Sequence, residues 1–96
     1  MPAIRQTENY KRWFSKLRDT RARARIDIRI RRAALGNFGD SKSVGSGVNE
    51  LRIDYGPGYR IYFTFIGKEI VVLLAGGDKS TQHKDIRKAK ELASEL

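Results

Sequence analysis

The chain has no cysteine among its 96 residues, so disulfides, thiolate metal sites and a cysteine nucleophile are all excluded. It has a single histidine, His83, and a zinc site would need more ligands than this residue and scattered carboxylates supply. No metal or cofactor is expected. Long apolar runs are also missing: none approaches the roughly 18 residues of a membrane span. The longest, Ile70–Ala75, suits a buried strand. Met1–Glu8 has no apolar core of signal-peptide length, and nothing in the chain is repeated or low in complexity. The expectation is a cytoplasmic protein with no membrane partner, folded as one domain over residues 1–96. A chain of this size buries about 60–70% of the surface its unfolded form exposes. That suffices for one core, so a functional site must lie on the surface or in a shallow groove.

What the chain has in excess is positive charge. Lys and Arg number 20 against 11 Asp and Glu, a formal charge of +9. Such an excess on a small domain favours a polyanionic partner, because each phosphate contact releases condensed counterions. Nucleic acid is the first class of partner implied and an acidic protein the second. Arginine outnumbers lysine, and its planar fork suits phosphate or carboxylate.

Periodicity divides the chain into elements. Ala3–Thr7 reads as a short opening strand. Tyr10, Trp13, Phe14 and Leu17 then fall at i, i+3, i+4 and i+7, an apolar helical stripe whose aromatics belong to a core. Thr20–Leu35 carries two signals. Arg21 to Arg31 alternates almost strictly, as a strand would, while a helix would align Ala22, Ile26, Ile30 and Ala33. Its length, a cap at Asp19 or Thr20 and a stop at Gly36 favour the helix. Gly36–Gly47, with four glycines, reads as a loop. Three strands follow, Val48–Tyr55, Tyr59–Ile66 and Glu69–Ala75, joined by turns at Gly56-Pro57-Gly58 and Gly67-Lys68. Gly76-Gly77-Asp78-Lys79 reads as a break in the sheet. A last helix starts at a Ser80 or Thr81 cap and carries Ile86, Ala89, Ala93 and Leu96 on its apolar stripe. The order β-α-α-β-β-β-α predicts an α+β domain, an antiparallel sheet with the helices packed on one face.

The register of the first hairpin places the candidate site. Leu51, Ile53 and Tyr55 on one strand, and Tyr59, Ile61, Phe63 and Phe65 on the next, must share the core face. A one-residue slip would expose a whole apolar set. Arg52 and Asp54 therefore share the other face with Arg60 and Tyr62; one allowed pairing sets Asp54 opposite Arg60 and Arg52 opposite Tyr62. That face is expected to be open. Lys79 and the start of the last helix lie near its edge, where backbone donors and a partial positive charge suit phosphate.

Several ordered segments carry a family likeness: Glu50-Leu51-Arg52-Ile53, Gly56-Pro57-Gly58-Tyr59-Arg60-Ile61-Tyr62-Phe63, Leu73-Leu74-Ala75-Gly76-Gly77-Asp78-Lys79-Ser80-Thr81-Gln82, and Asp85-Ile86 with Ala89. Together they resemble the RelE/ParE toxin superfamily, and within it the HigB-like, phage Gp49-related addiction module killer branch. Arg25-Ile26, Gly36-Asn37-Phe38-Gly39-Asp40 and Gly47-Val48 fit the same branch. The resemblance implies a RelE-like β-α-α-β-β-β-α fold and settles Thr20–Leu35 as helix. It also implies the toxin of a type II toxin–antitoxin system. Such a toxin is neutralised by a cognate antitoxin of helix-turn-helix type and meets operator DNA only through it. RelE and HigB members cleave messenger RNA on the ribosome, whereas ParE members poison DNA gyrase. A degenerate toxin that only binds its antitoxin is a third alternative.

Carried over by position, Arg60 matches the central-strand arginine that acts on the scissile phosphate, and Arg52 a basic position on the preceding strand. Lys79 falls near the basic residue after the last strand. The last helix has no tyrosine where some relatives have a catalytic one; Gln82 and His83 occupy that neighbourhood. Cleavage needs removal of the 2′-OH proton, stabilisation of a dianionic phosphorane-like centre and protonation of the leaving 5′-oxygen. Arg60 is the candidate for charge stabilisation and Arg52 for the same role or a flanking phosphate. Lys79 is the acid or base candidate, which clustered positive charge would favour by destabilising its ammonium form. His83, an imidazole suited to proton transfer near neutral pH, is a weaker one. Tyr62 is expected to stack on a base. Lys42 and Gln82 are further RNA-contact candidates. Arg25 and Arg29, in the arginine-rich Arg18–Arg32 stretch, are expected to grip RNA or an acidic antitoxin segment.

Overall fold

The computed structural model describes residues 3–96; Met1 and Pro2, the start of the Met1–Glu8 segment considered above, lie outside them. In chain order the elements are β1 (Ala3–Gln6), α1 (Glu8–Ser15), α2 (Thr20–Ala34), β2 (Ser41–Gly45), β3 (Val48–Ile53), β4 (Tyr59–Ile66), β5 (Ile70–Asp78), a single 3₁₀ turn (Lys79–Thr81) and α3 (Gln82–Ser94). The five strands form one sheet in the order β1-β5-β4-β3-β2. The domain is α+β, as expected, and Thr20–Ala34 is helical.

Local chemistry accounts for the helix ends. Thr7 caps α1 by accepting from the Tyr10 N–H, and its hydroxyl donates to the Leu74 carbonyl, tying the cap to β5. The Asp19 carboxylate accepts from the N–H groups of Arg21 and Ala22 at the start of α2. Gly36 ends α2 at φ 88°, its N–H bonded to the Ala33 carbonyl while the Asn37 N–H reaches Arg32.

Four features of the sheet differ from the sequence-based expectation. Gly36–Gly47 is not all loop. Ser41–Gly45 forms β2, paired antiparallel with β3 through a bulge between Ser43 and Gly45. Its short, polar, lysine-bearing sequence is that of an edge strand, which apolar alternation does not reveal. The sheet is mixed rather than antiparallel throughout, because β1 pairs parallel with β5.

Gly76-Gly77 does not break the sheet but lies inside β5, opposite Ile61 and Arg60. The two glycines let the neighbouring elements approach. A Cβ on Gly76 would lie 2.2 Å from the Trp13 ring, and one on Gly77 would lie 1.8 Å from Asp85 Oδ2.

The helices also occupy both faces. α1 and α2 cover one face, where Tyr10 and Ile26 pack against Leu51, Ile53, Ile61, Phe63, Val71 and Leu73. α3 covers the other, with Ala89 and the partly buried Ile86, Leu92 and Ala93 against Val48, Tyr62, Val72, Leu74 and Ala75. Leu96, expected on that stripe, is exposed. The driving force is the uninterrupted apolar run of β5: a strand whose consecutive residues are all apolar is buried on both sides. An extra residue in β5, where Tyr62 pairs with Ala75 and Phe63 with Leu73, turns both Leu74 and Ala75 towards α3.

Candidate functional site

The hairpin register follows the same-face rule, shifted by two residues from the pairing considered above. Arg52 lies opposite Arg60, and Glu50 opposite Tyr62. The shift has a local cause. β3 ends at Ile53, and the chain turns at Tyr55, whose carbonyl accepts from Gly58 N–H. Asp54 is therefore past the paired strand and lies exposed at the turn. Tyr55 leaves the strand too, and its hydroxyl donates to Asp19 at the start of α2.

Because α3 covers one half of this sheet face, only the Arg52–Arg60 end stays open. Tyr62 is fully buried beneath α3, so it offers no surface on which a base could stack. Its hydroxyl donates to Glu50 Oε2 at 3.1 Å, and burial together with that carboxylate holds its pKa well above the ordinary phenol value. Gln82, expected at an RNA surface, instead donates from Nε2 to the same Glu50 oxygen at 2.7 Å. Glu50, itself fully buried, is thus the hub of a small polar network.

The other carboxylate oxygen of Glu50 faces Arg60. Oε1 lies 3.8 Å from Arg60 Nε, and neither atom has a hydrogen-bond partner. Arg60 Nη1 donates to the carbonyls of Gly58 and Tyr59 at 3.2 and 3.3 Å. The guanidinium is therefore held on its inner side by a buried carboxylate and two carbonyls. Its Nη2 makes no hydrogen bond among the described residues.

Arg52, Arg60 and Lys79 line one groove of about 450 Å³, floored by the Gly56-Pro57-Gly58 turn and edged by Asp40 and Asp54. The three basic residues singled out in the sequence thus come together. Gly58 brings two of them close: a Cβ there would touch both the Arg60 guanidinium and Lys79 Cβ at 3.5 Å. Lys79 enters through the 3₁₀ turn, where Asp78 caps the Ser80 N–H; α3 then starts with Thr81 at its N-cap position, as expected, but without a side-chain cap bond. Arg52 is partly neutralised by Asp40 Oδ1, at 2.8 Å from Nη2 and 3.1 Å from Nε. Both partners are substantially exposed, so this pair is weak and exchangeable.

Other candidates fall elsewhere. Arg29 is largely structural. It donates to the carbonyls of Arg52 at 2.5 Å, Phe38 at 3.1 Å and Asp40 at 3.3 Å, fastening α2 to the segment that enters β2. Arg25 stacks over the Tyr55 ring at 4.7 Å. Both line a smaller groove of about 290 Å³ with Arg32 and Ile28, and this groove shares Ile53 and Asp54 with the first. Lys42 sits opposite Glu50 on the exposed β2 edge, outside the groove. His83 is exposed in the first turn of α3 and does not line it either. Among the described residues, no three His, Cys, Asp or Glu side chains gather in a way that could hold a metal ion, and no helix is long and apolar enough to cross a membrane.

Sequence reasoning missed Glu50, Asp40 and the glycine pair as parts of the site. The signal for Glu50 was its place two residues before Arg52, which put it on the face shared with Arg60 and Tyr62. The signal for Asp40 was hidden in the unrecognised β2 region.

Residues 12–96 match the family model described as phage-derived protein Gp49-like (DUF891). The chain belongs to the Gp49-like family. This family is associated with toxin–antitoxin modules. A protein of Haemophilus influenzae, named only "Uncharacterized protein", is 55% identical over 93 residues, covering 97% of this chain and 94% of its own length. The matched stretch, residues 12–96, runs from within α1 through α3 and includes every residue of the groove and of the Glu50 network.

Proposed function

We propose that this Gp49-like protein is the toxin of a type II module and acts as a HigB/RelE-like endoribonuclease on ribosome-bound messenger RNA. The observation that carries this reading is the groove in which Arg60, braced by buried Glu50, stands beside Arg52 and Lys79. A cognate antitoxin, of helix-turn-helix type by the resemblance above, is the neutralising partner.

In this reading Arg60 directs its free Nη2 at a non-bridging phosphate oxygen and stabilises the charge that builds as the 2′-oxygen attacks phosphorus. The fixed inner contacts of its guanidinium remove the need to reorient during the reaction. Arg52 exchanges Asp40 for a flanking phosphate. Asp54, a carboxylate on the groove edge without an ion pair among the described residues, takes the proton from the 2′-OH. Lys79 delivers a proton to the departing 5′-oxygen. Neither Tyr62 nor His83 enters, the first because it is buried and the second because it lies outside the groove.

The test is controlled expression in bacteria with mapping of messenger RNA 5′ ends. The reading expects growth arrest with new 5′ ends inside open reading frames. Arrest without new ends, accompanied by gyrase-linked DNA breaks, would replace it with a non-enzymatic gyrase inhibitor. No arrest at all would point to a degenerate toxin that only binds its antitoxin.

A further inference from the structure

A second groove, of about 420 Å³, lies on the flank of the sheet between α1 and α3 and shares no residue with the Arg60 groove. Arg12 of α1 and Lys16, the residue at its C-cap, line one side; Lys84 and Lys88 line the other from α3. Each pair is spaced i, i+4, which stacks its two side chains on one helical face about 5–6 Å apart. The floor is Trp13 with Ala75 and Gly76. The absence of a side chain on Gly76 lets the indole lie directly against β5, and the ring is only partly buried, which leaves part of it open to the groove.

The four cations are little neutralised. Among the described residues Arg12, Lys16 and Lys84 make no ion pair, and Lys88 reaches Glu91 only at 3.9 Å on the surface. The one carboxylate in the groove is Asp85. It accepts from the Thr81 hydroxyl; burial raises its pKa, while the Thr81 bond and the nearby charge of Lys84 act the other way.

We propose that this α1–α3 groove is a second binding site for single-stranded nucleic acid, with phosphates on the four basic side chains and a base on Trp13. Two opposed cationic rows suit a chain of regularly spaced phosphates, and a flat aromatic floor suits a planar base better than a branched aliphatic side chain. An acidic protein segment would satisfy the rims but leave the flat floor poorly filled. The site is independent of the proposed cleavage chemistry. It would hold RNA at a distance from the Arg60 groove and add affinity without adding turnover.

Trp13 is the only tryptophan in the chain, so its fluorescence reports on this groove. The experiment titrates an uncleavable 2′-O-methyl RNA octamer into the full-length protein, with poly-glutamate as a second probe, at several salt concentrations. The expected result is quenching by the octamer in the unmodified protein and in the Arg52→Ala/Arg60→Ala variant. With Lys84→Ala/Lys88→Ala the Kd should rise about tenfold or more and the salt slope shrink by about 1.4, or 0.7 for each lost phosphate contact. Arg12→Ala/Lys16→Ala should reproduce that loss from the other rim, and circular dichroism checks that each variant is folded. Absence of quenching, or quenching that depends on Arg52 and Arg60 but not on the lysines, would overturn the proposal. Tighter binding of poly-glutamate than of the octamer would also overturn it, and would assign the groove to an acidic protein.

Discussion

Glu50 Oε1 stands 3.8 Å from Arg60 Nε, with Glu50 fully buried and Arg60 side-chain exposure at 14%. A carboxylate with no access to solvent cannot touch a substrate. It fixes one edge of the arginine while the other edge faces the groove. Removing one member of a buried pair leaves an uncompensated charge, at a cost of about 3–5 kcal/mol. Glu50→Ala would also strip the acceptor from Tyr62 and Gln82. Glu50→Ala should therefore lower the unfolding free energy in urea by about 3 kcal/mol or more. Glu50→Gln, which keeps the shape, should cost less stability yet still lower RNA cleavage.

Tyr62 separates burial from recognition. A base-stacking residue would lose RNA affinity on losing its ring and would tolerate the change structurally; the structure implies the reverse. Tyr62→Phe removes only the hydrogen bond to Glu50 and should cost about 1 kcal/mol, with RNA affinity unchanged. Tyr62→Ala empties a ring-sized space beneath α3 and should cost about 3–5 kcal/mol. Urea unfolding and an RNA-binding titration on the two variants check both halves.

Much of this arrangement was legible in the sequence. The α2 caps at Asp19 and Gly36, the span of β4 and the shared face of Arg52 and Arg60 all follow from residue chemistry and from the rule that apolar sets must face the core. What the pattern did not convey was the second covered face. The run Val71-Val72-Leu73-Leu74-Ala75 is apolar at every position, the mark of a strand buried on both sides, and that alone foretells a helix over Tyr62. The glycines of β5 misled for a related reason. Gly76 and Gly77 read as turn residues in one dimension, but they are set by the close approach of Trp13 and Asp85 in three. β2 was hidden because edge strands are short and polar.

Asp54 bears the proposed base role, which makes its effect on turnover separable from its effect on binding. Asp54→Asn removes a negative charge beside two arginines and a lysine. RNA should bind at least as tightly as before, while single-turnover cleavage falls by about 100-fold or more, the scale of general-base catalysis. Equal losses in binding and rate would contradict the assignment.

Asp19 gives a pH signature. Hydrogen bonds from the backbone N–H of Ala22, the Tyr55 hydroxyl and the Arg21 N–H hold its pKa below the ordinary carboxylate value, with the Ala22 bond the largest cause. A lowered folded-state pKa contributes stability that is present above the unfolded value, near pH 4, and is lost as pH falls through the folded one. Asp19→Ala should therefore lower the melting temperature at pH 7 by a few degrees. The gap from the unmodified protein should narrow as pH drops below about 4. Thermal melts from pH 7 to pH 2.5 would show it, and a gap independent of pH would contradict the charged cap.

The most direct test of the central claim is the rate of messenger RNA cleavage on purified translating ribosomes by the unmodified protein and by Arg60→Ala. If Arg60 stabilises the phosphorane-like centre, the unmodified protein should cut within the ribosome-bound message. Arg60→Ala leaves buried Glu50 unpaired and should lose stability; at a temperature where circular dichroism shows it folded, it should slow the cut by about 100- to 1,000-fold, the loss typical of one removed charge-stabilising donor. Cleavage that survives Arg60→Ala unchanged, or an unmodified protein that leaves the message intact, would contradict it.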